Sequence, residues 1–229
     1  MNTILQIETA TTACSVALAV NGEVTAVKTI NQRNIHAEVI TLYIDELLKE
    51  ASIDYNALDA IAVSAGPGSY TGLRIGISTA KGLCFAMDKP LIAVETLEAM
   101  AQGFIGSGVA EIIPGTLLCP MIDARRMEVY TAIFDAEGNR LKETSAEIID
   151  AGSYADELAN NKVIFFGDGA PKFQDVLTHP NAIIIPEFIN SAAYLTKTAL
   201  QKFTAGQFED VAYYEPFYLK DFIAGKKAL

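Results

Sequence analysis

The chain has no tryptophan, only three cysteines and only two histidines in 229 residues. Cys14, Cys84 and Cys119 lie far apart in apolar surroundings, with no C-x-x-C spacing. That excludes a disulfide framework and a cysteine zinc site, and it predicts buried, reduced thiols. His36 and His179 are too distant in sequence for a local histidine metal motif, so no metal ligands are assigned. No run of about 18 apolar residues occurs, so no helical membrane span and no membrane partner are expected. Met1-Asn2-Thr3 lacks the basic start and apolar core of a secretory leader, and a cytoplasmic location is the expectation. Positive charge is scarce too. There are 17 Lys and Arg against 28 Asp and Glu, a net charge of −11. A phosphate backbone repels such a surface, which argues against tight nucleic-acid binding by the chain alone.

What is present in quantity is apolar: 51% of residues. A chain of this length buries roughly 70% of its unfolded surface, as one large domain or two lobes. Its most distinctive stretch starts with the apolar strand Ala60–Ser64. A turn follows, Gly66-Pro67-Gly68-Ser69-Tyr70-Thr71-Gly72, and then a helical segment over residues 73–87. Pro67 and the glycines cannot continue a strand, and Ser69 or Thr71 can cap the helix. Such a corner exposes backbone donors and could hold an anion. It is not a standard phosphate loop, because the spacing is wrong and Leu73-Arg74 stands where G-K-[ST] would continue. It is not G-x-G-x-x-G either, because Gly72 comes one residue late. Gly68, Gly72, Gly76, Ala80 and Cys84 recur every four residues, a nearly bare helix face. Two readings stay open for that face: close packing inside the protein, or docking of another helix.

Taken in order, the chain reads as strand, strand, strand, helix, strand, helix, strand, helix. The Asn21-Gly22 pair marks a hairpin. The first helix, 35–50, has Asn34 as candidate cap and an apolar belt wider than one core contact needs, with Ile35, Val39, Leu42 and Tyr43 beside the core-facing set. Glycines near 103–108 and Pro114 end the first half. The second half repeats the plan. Leu117–Asp123 ends in a carboxylate, as the first strand ends in Glu8, and Ala124-Arg125-Arg126 turns. Gly167-Asp168-Gly169 forms a second glycine turn, short helices are expected at 153–160 and 171–177, and a longer one at 191–203. The expected fold is α/β: duplicated β-β-β-α-β-α units forming two lobes, 1–108 and 109–229, around a cleft. The tail is aromatic (Tyr213, Tyr214, Phe217, Tyr218) and then basic (Lys226, Lys227).

This duplicated plan resembles the actin, hexokinase and chaperone ATPase superfamily. Three motifs resemble one family within it, the TsaB (formerly YeaZ) family, also grouped as glycoprotease-like. They are Ile4-Leu5-Gln6-Ile7-Glu8-Thr9-Ala10-Thr11, the segment from Ser64 through Gly66, Pro67, Gly68, Ser69, Tyr70, Thr71, Gly72 and Arg74 to Gly76, and Ile122-Asp123-Ala124-Arg125-Arg126-Met127-Glu128-Val129-Tyr130. Pro216-Phe217-Tyr218-Leu219-Lys220 extends the likeness to the tail. The resemblance implies an actin-like fold and a bacterial subunit of the machinery that makes threonylcarbamoyladenosine beside the tRNA anticodon. It implies a catalytic paralogue, TsaD, and an ATPase, TsaE, as partners, with tRNA reached only through the complex and a homodimer when the chain is alone. The docking surface it suggests is a helix bundle using Ile35, Val39, Leu42, Tyr43, Gly72, Gly76 and Ala80.

Against the superfamily pattern the nucleotide site looks degraded. Glu8 stands for an Asp that helps hold hydrated Mg²⁺, and Ala10 follows Thr9 where glycine is usual. Arg125 and Arg126 follow Asp123, open to an anion, a salt bridge or a partner. Asp168 sits between Gly167 and Gly169 where the adenosine turn has a small residue. The H-x-x-x-H helix of TsaD-like catalysts is missing, because Ile40 comes four residues after His36. The expectation is a non-catalytic subunit with no cofactor of its own, ATP and Mg²⁺ entering only in the assembled complex. The rival class is an enzyme, either an ATP-dependent small-molecule kinase or a glycoprotease-like hydrolase.

Overall fold

The computed structural model describes residues 2–220; Lys226 and Lys227 lie outside them. In each half an antiparallel meander is joined by two parallel strands. The first half contains β1 (Thr3–Glu8), β2 (Ala13–Val20), β3 (Glu23–Asn31), α1 (His36–Glu50), β4 (Ala60–Ser64), α2 (Tyr70–Met87), β5 (Leu91–Val94) and α3 (Thr96–Ser107). The second contains β6 (Leu117–Asp123), β7 (Glu128–Phe134), β8 (Arg140–Ile148), α4 (Ala155–Asn160), β9 (Val163–Phe166), β10 (Ala182–Ile185) and α5 (Thr196–Thr204). The sheet orders are β3-β2-β1-β4-β5 and β8-β7-β6-β9-β10, so the two halves are topological copies in a duplicated α/β fold. Each copy carries a fifth strand and a following helix beyond the six-element unit.

The layers alternate. Helices α1 and α2 cover the outer face of the first sheet, burying Leu5, Val16, Ile40, Ile44, Leu47 and Ile77. The inner face of that sheet packs on Leu195 and Ala199, at and beside the start of α5. Helix α3 belongs to the first half in sequence, yet Leu97, Met100 and Phe104 pack on Leu118, Ile122 and Phe166 of the second sheet. Each half therefore lends its last helix to the space between the sheets. Polar ties follow the same route. Glu95 binds Arg140 and Thr144, Thr196 donates to Gln6 Oε1 at 3.0 Å, and the Ala192 N–H donates to Ser15 Oγ at 3.0 Å.

Local departures from expectation have local causes. Asn34 does not cap α1; its backbone is left-handed (φ 61°), and Ile35 stands at the cap without a side-chain bond. Helix α2 starts at Tyr70, earlier than 73, because Ser69 Oγ accepts the Gly72 N–H at 3.2 Å. The 171–177 segment forms only a 3-10 turn, Ala170–Phe173, where Pro171 supplies no N–H. The 191–203 segment opens with a 3-10 turn, Ala192–Leu195, before α5. Tyr154 is left-handed (φ 62°), which delays α4 until Ala155.

The line of small residues on α2 is internal. Gly72, Gly76, Ala80 and Cys84 are all buried. A Cβ on Gly72 would strike the Thr9 carbonyl oxygen, and one on Gly76 would strike Thr9 Oγ1. Of the two readings this favours close packing, and Gly72, Gly76 and Ala80 drop out of the candidate docking surface. Gly82, on the opposite face, meets nothing within 4 Å. Gly76→Leu should therefore destabilise the chain by about 1–3 kcal/mol or more. Gly82→Ala should be neutral or stabilise by about 0.5–1 kcal/mol. Urea unfolding of the two variants checks this, and equal effects would contradict the packing described.

Candidate functional site

The residues that the superfamily pattern assigns to nucleotide do converge, where β1, α2 and the β9 turn approach one another. Glu8 ends β1 and is fully buried; its Oε1 accepts the Ala10 N–H at 2.5 Å. The Thr9–Thr12 turn is held from three sides. Ser69 donates its N–H to the Ala10 carbonyl at 2.7 Å, and Thr9 donates its N–H to Ser64 Oγ at 3.4 Å. His36 Nε2 lies 3.0 and 3.2 Å from the carbonyl oxygens of Thr11 and Ala13, so it carries the proton and donates to them. The corner after β4 is thus filled by the protein itself. Gly68 abuts Ala10, and Gly66 (φ 111°) abuts the Phe217 carbonyl.

The tail forms a strap over that corner. Phe217 donates its N–H to the Ala65 carbonyl at 2.8 Å. Lys81 donates to the carbonyls of Ala212 and Tyr214. Arg74 donates to Tyr218 Oη at 3.1 Å and lies 4.1 Å from the Tyr70 ring centre, while the Tyr70 and Tyr218 rings are 4.9 Å apart. Lys220 then pairs with Glu128 in the second lobe.

Between the lobes remains a cavity of about 20 Å³, lined in part by Thr11, Asn31, Met100, Asp168 and Asn190. That is room for about one water molecule, against the several hundred Å³ of a ligand pocket. Several buried polar atoms have no partner among the described residues: Gln6 Nε2, Glu8 Oε2, Thr9 Oγ1 and Asn190 Nδ2. Gln6 and Glu8 lie on β1, Thr9 opens the turn after it, and Asn190 lines the cavity. Burial pushes the Glu8 carboxyl from 4.5 up to about 7, opposed by the Ala10 N–H and by Ser64 and Asn190 nearby.

In the second lobe, Asp168 Oδ1 accepts the Asp123 N–H at 3.0 Å and so fixes the glycine turn to the end of β6. Arg125 and Arg126 are both left-handed (φ 71° and 54°), which costs roughly 1–2 kcal/mol per residue. Both are exposed, and neither makes an ion pair among the described residues, so the salt-bridge reading of this pair fails. Lys172 and Asn190 were not legible as site residues, since no motif surrounds them. Tyr218 and Lys220 belong to the tail motif, but their contacts with Arg74 and Glu128 come from a distant segment.

No hydrolytic constellation forms among the described residues. Burial pushes the Cys14, Cys84 and Cys119 thiols up to about 12, so none is a thiolate nucleophile. His36 is held by carbonyls, and Ser64 has no histidine partner in its hydrogen bonds. No group of three His, Cys, Asp or Glu residues among those described is arranged to hold a metal ion.

Comparison with known proteins identifies the family. The family model described as TsaD, tRNA N6-adenosine threonylcarbamoyltransferase, matches residues 23–224. The tRNA threonylcarbamoyladenosine biosynthesis protein TsaB of Haemophilus influenzae is 33% identical over 98% of this chain and 96% of its own length. The chain belongs to the TsaB family. The Escherichia coli TsaB is 32% identical over 98% of this chain and 97% of its own. The solved YeaZ structure from Pseudomonas aeruginosa superposes with a TM-score of 0.76 at 28% identity, covering 96% of this chain and all of that one. Family membership carries a role in tRNA threonylcarbamoyladenosine biosynthesis. Within the family's motifs, the glycine segment is accounted for by α2 packing on the Thr9 turn.

The buried carboxyl of Glu8 makes stability depend on pH. A raised folded-state value means that the native state holds the proton where the unfolded chain has lost it. The contribution of Glu8 to stability is therefore greatest below about pH 4.5, declines as pH rises through about 7, and levels off above, a span on the order of 3 kcal/mol. Glu8→Gln removes that dependence and should raise stability at neutral and higher pH. Urea unfolding from about pH 5 to about pH 8 is the measurement; parallel curves for both proteins would refute the assignment.

Proposed function

We propose that the chain is a non-catalytic subunit of the tRNA threonylcarbamoyladenosine machinery, acting in the cytoplasm by binding and activating the TsaD paralogue together with the ATPase TsaE. The observation that carries this reading is the interlobe cavity. At about 20 Å³ it admits a water but not a nucleoside. The members of the degraded site, Glu8, Ala10 and Asp168, are instead engaged in holding turns together. ATP and Mg²⁺ then belong to the assembled complex, and the chain contributes a surface.

That surface is the outer pair of helices, α1 and α2. Leu42 is 59% exposed and Phe85 85% exposed, with Ile35, Val39 and Tyr43 half-buried beside Leu42 on α1. The outward line of α2 is Arg74, Ser78, Gly82 and Phe85 rather than the small-residue line. An exposed apolar pair of this kind favours a helix pair from the partner, or the same face of a second copy when the partner is absent.

Two measurements test the reading. Titration calorimetry of the isolated chain with Mg-ATP should show weak binding or none; tight one-to-one binding would favour a kinase. Leu42→Glu with Phe85→Glu should leave the fold intact and weaken TsaD association at least about tenfold, some 1.4 kcal/mol. Undiminished association in a folded double variant places the docking surface elsewhere.

A further inference from the structure

The Arg125–Arg126 hairpin presents two positive charges with no ion-pair partner among the described residues, on a protein of net charge −11. Its flanking carboxylates are already neutralised by lysines from distant segments. Lys172 Nζ donates to Asp123 Oδ1 at 2.6 Å, and Lys220 pairs with Glu128. Neither guanidinium has an ion pair or side-chain hydrogen bond among the described residues. The backbone is pinned from below. Lys172 also donates to the carbonyls of Arg126 at 2.9 Å and Glu128 at 2.7 Å, and Asp123 Oδ1 accepts the Arg125 N–H at 2.8 Å. The turn places two consecutive arginines in the left-handed region, where glycine or asparagine fits better. Packing does not explain that choice, since both side chains are exposed.

We propose that this hairpin is a phosphate contact, and that it holds the backbone of an RNA strand. A guanidinium receives a phosphate through two parallel N–H donors, and adjacent arginines suit successive phosphates of one strand. Both side chains are exposed, so the anion approaches from solvent and lies across the hairpin. With a net charge of −11 over the whole chain, this confined spot orients an RNA rather than binding it tightly. The inference rests on the role in tRNA modification, and it gives this chain a direct hold on the RNA within the complex.

The test uses the full chain and a fluorescein-labelled anticodon stem-loop RNA, followed by anisotropy at several salt concentrations. Weak, salt-sensitive binding is expected. R125E/R126E should lower affinity roughly tenfold or more, and the salt slope should fall by about two contacts. Arg126→Gly relieves the left-handed strain, so it should raise the melting temperature while weakening RNA binding; a lowered melting temperature would mean that the arginine is structural. No binding by the unaltered chain, or equal binding by R125E/R126E, overturns the proposal. If pyrophosphate or ATP, tested alone, binds the unaltered chain tightly and R125E/R126E loses it while RNA binding is unchanged, the phosphate belongs to a small molecule and the RNA assignment is wrong. Loss of TsaD association with RNA affinity unchanged would make the hairpin a protein contact and equally overturn it. Scoring tRNA modification by the reconstituted complex in parallel separates the two levels. Modification that proceeds normally with R125E/R126E sinks this contact and leaves the subunit reading standing.

Discussion

The rest of the structure depends on how closely α2 approaches the turn after β1. Side chains are absent at Gly68, Gly72 and Gly76, so the helix lies directly against the backbone and side chain of Thr9 and Ala10. That approach positions Ser69 to bond the Ala10 carbonyl and to cap the helix. It also buries the Glu8 carboxyl completely. The N-terminus of a helix is a place that could receive a phosphate. Here the helix N-terminus has been given an internal carbonyl in its place, and the strap through Phe217 covers what remains.

The second constraint is the exchange of helices between halves. Because α3 packs on the second sheet and the α5 region on the first, the lobes share one interior rather than meeting along a wet seam. Gly103 records the tightness of this contact, since a Cβ there would lie within the Tyr194 ring. A shared interior explains why the cavity between the lobes is so small. Unpartnered buried polar atoms gather there, around Glu8 and Asn190.

These two constraints divide the surface by role. The cleft side is closed and holds the protein together. The outer helix pair keeps apolar side chains in solvent, and the β6–β7 hairpin keeps two arginines there.

Much of the fold was legible in the chain alone, because alternation, turn residues and helix spacing are local properties. The Asn21-Gly22 hairpin, the β4–glycine–α2 corner and the repetition of the plan from Leu117 onward all follow from residues near one another. The substitutions at Glu8, Ala10 and Asp168 were equally visible, since a missing glycine or a longer carboxylate is written in the sequence itself. Direction was not. The four-residue spacing of Gly72, Gly76 and Ala80 is identical whether that face meets the same chain or another, and only the position of the Thr9 turn, some 60 residues upstream, turned it inward. In the same way Arg125 and Arg126 were apparent as charges, but their freedom depended on Lys172 and Lys220 taking Asp123 and Glu128. Composition and periodicity determine which residues are apolar, small or charged. Which of them face each other is decided by long-range packing, because that is where residues distant in sequence compete for the same partner.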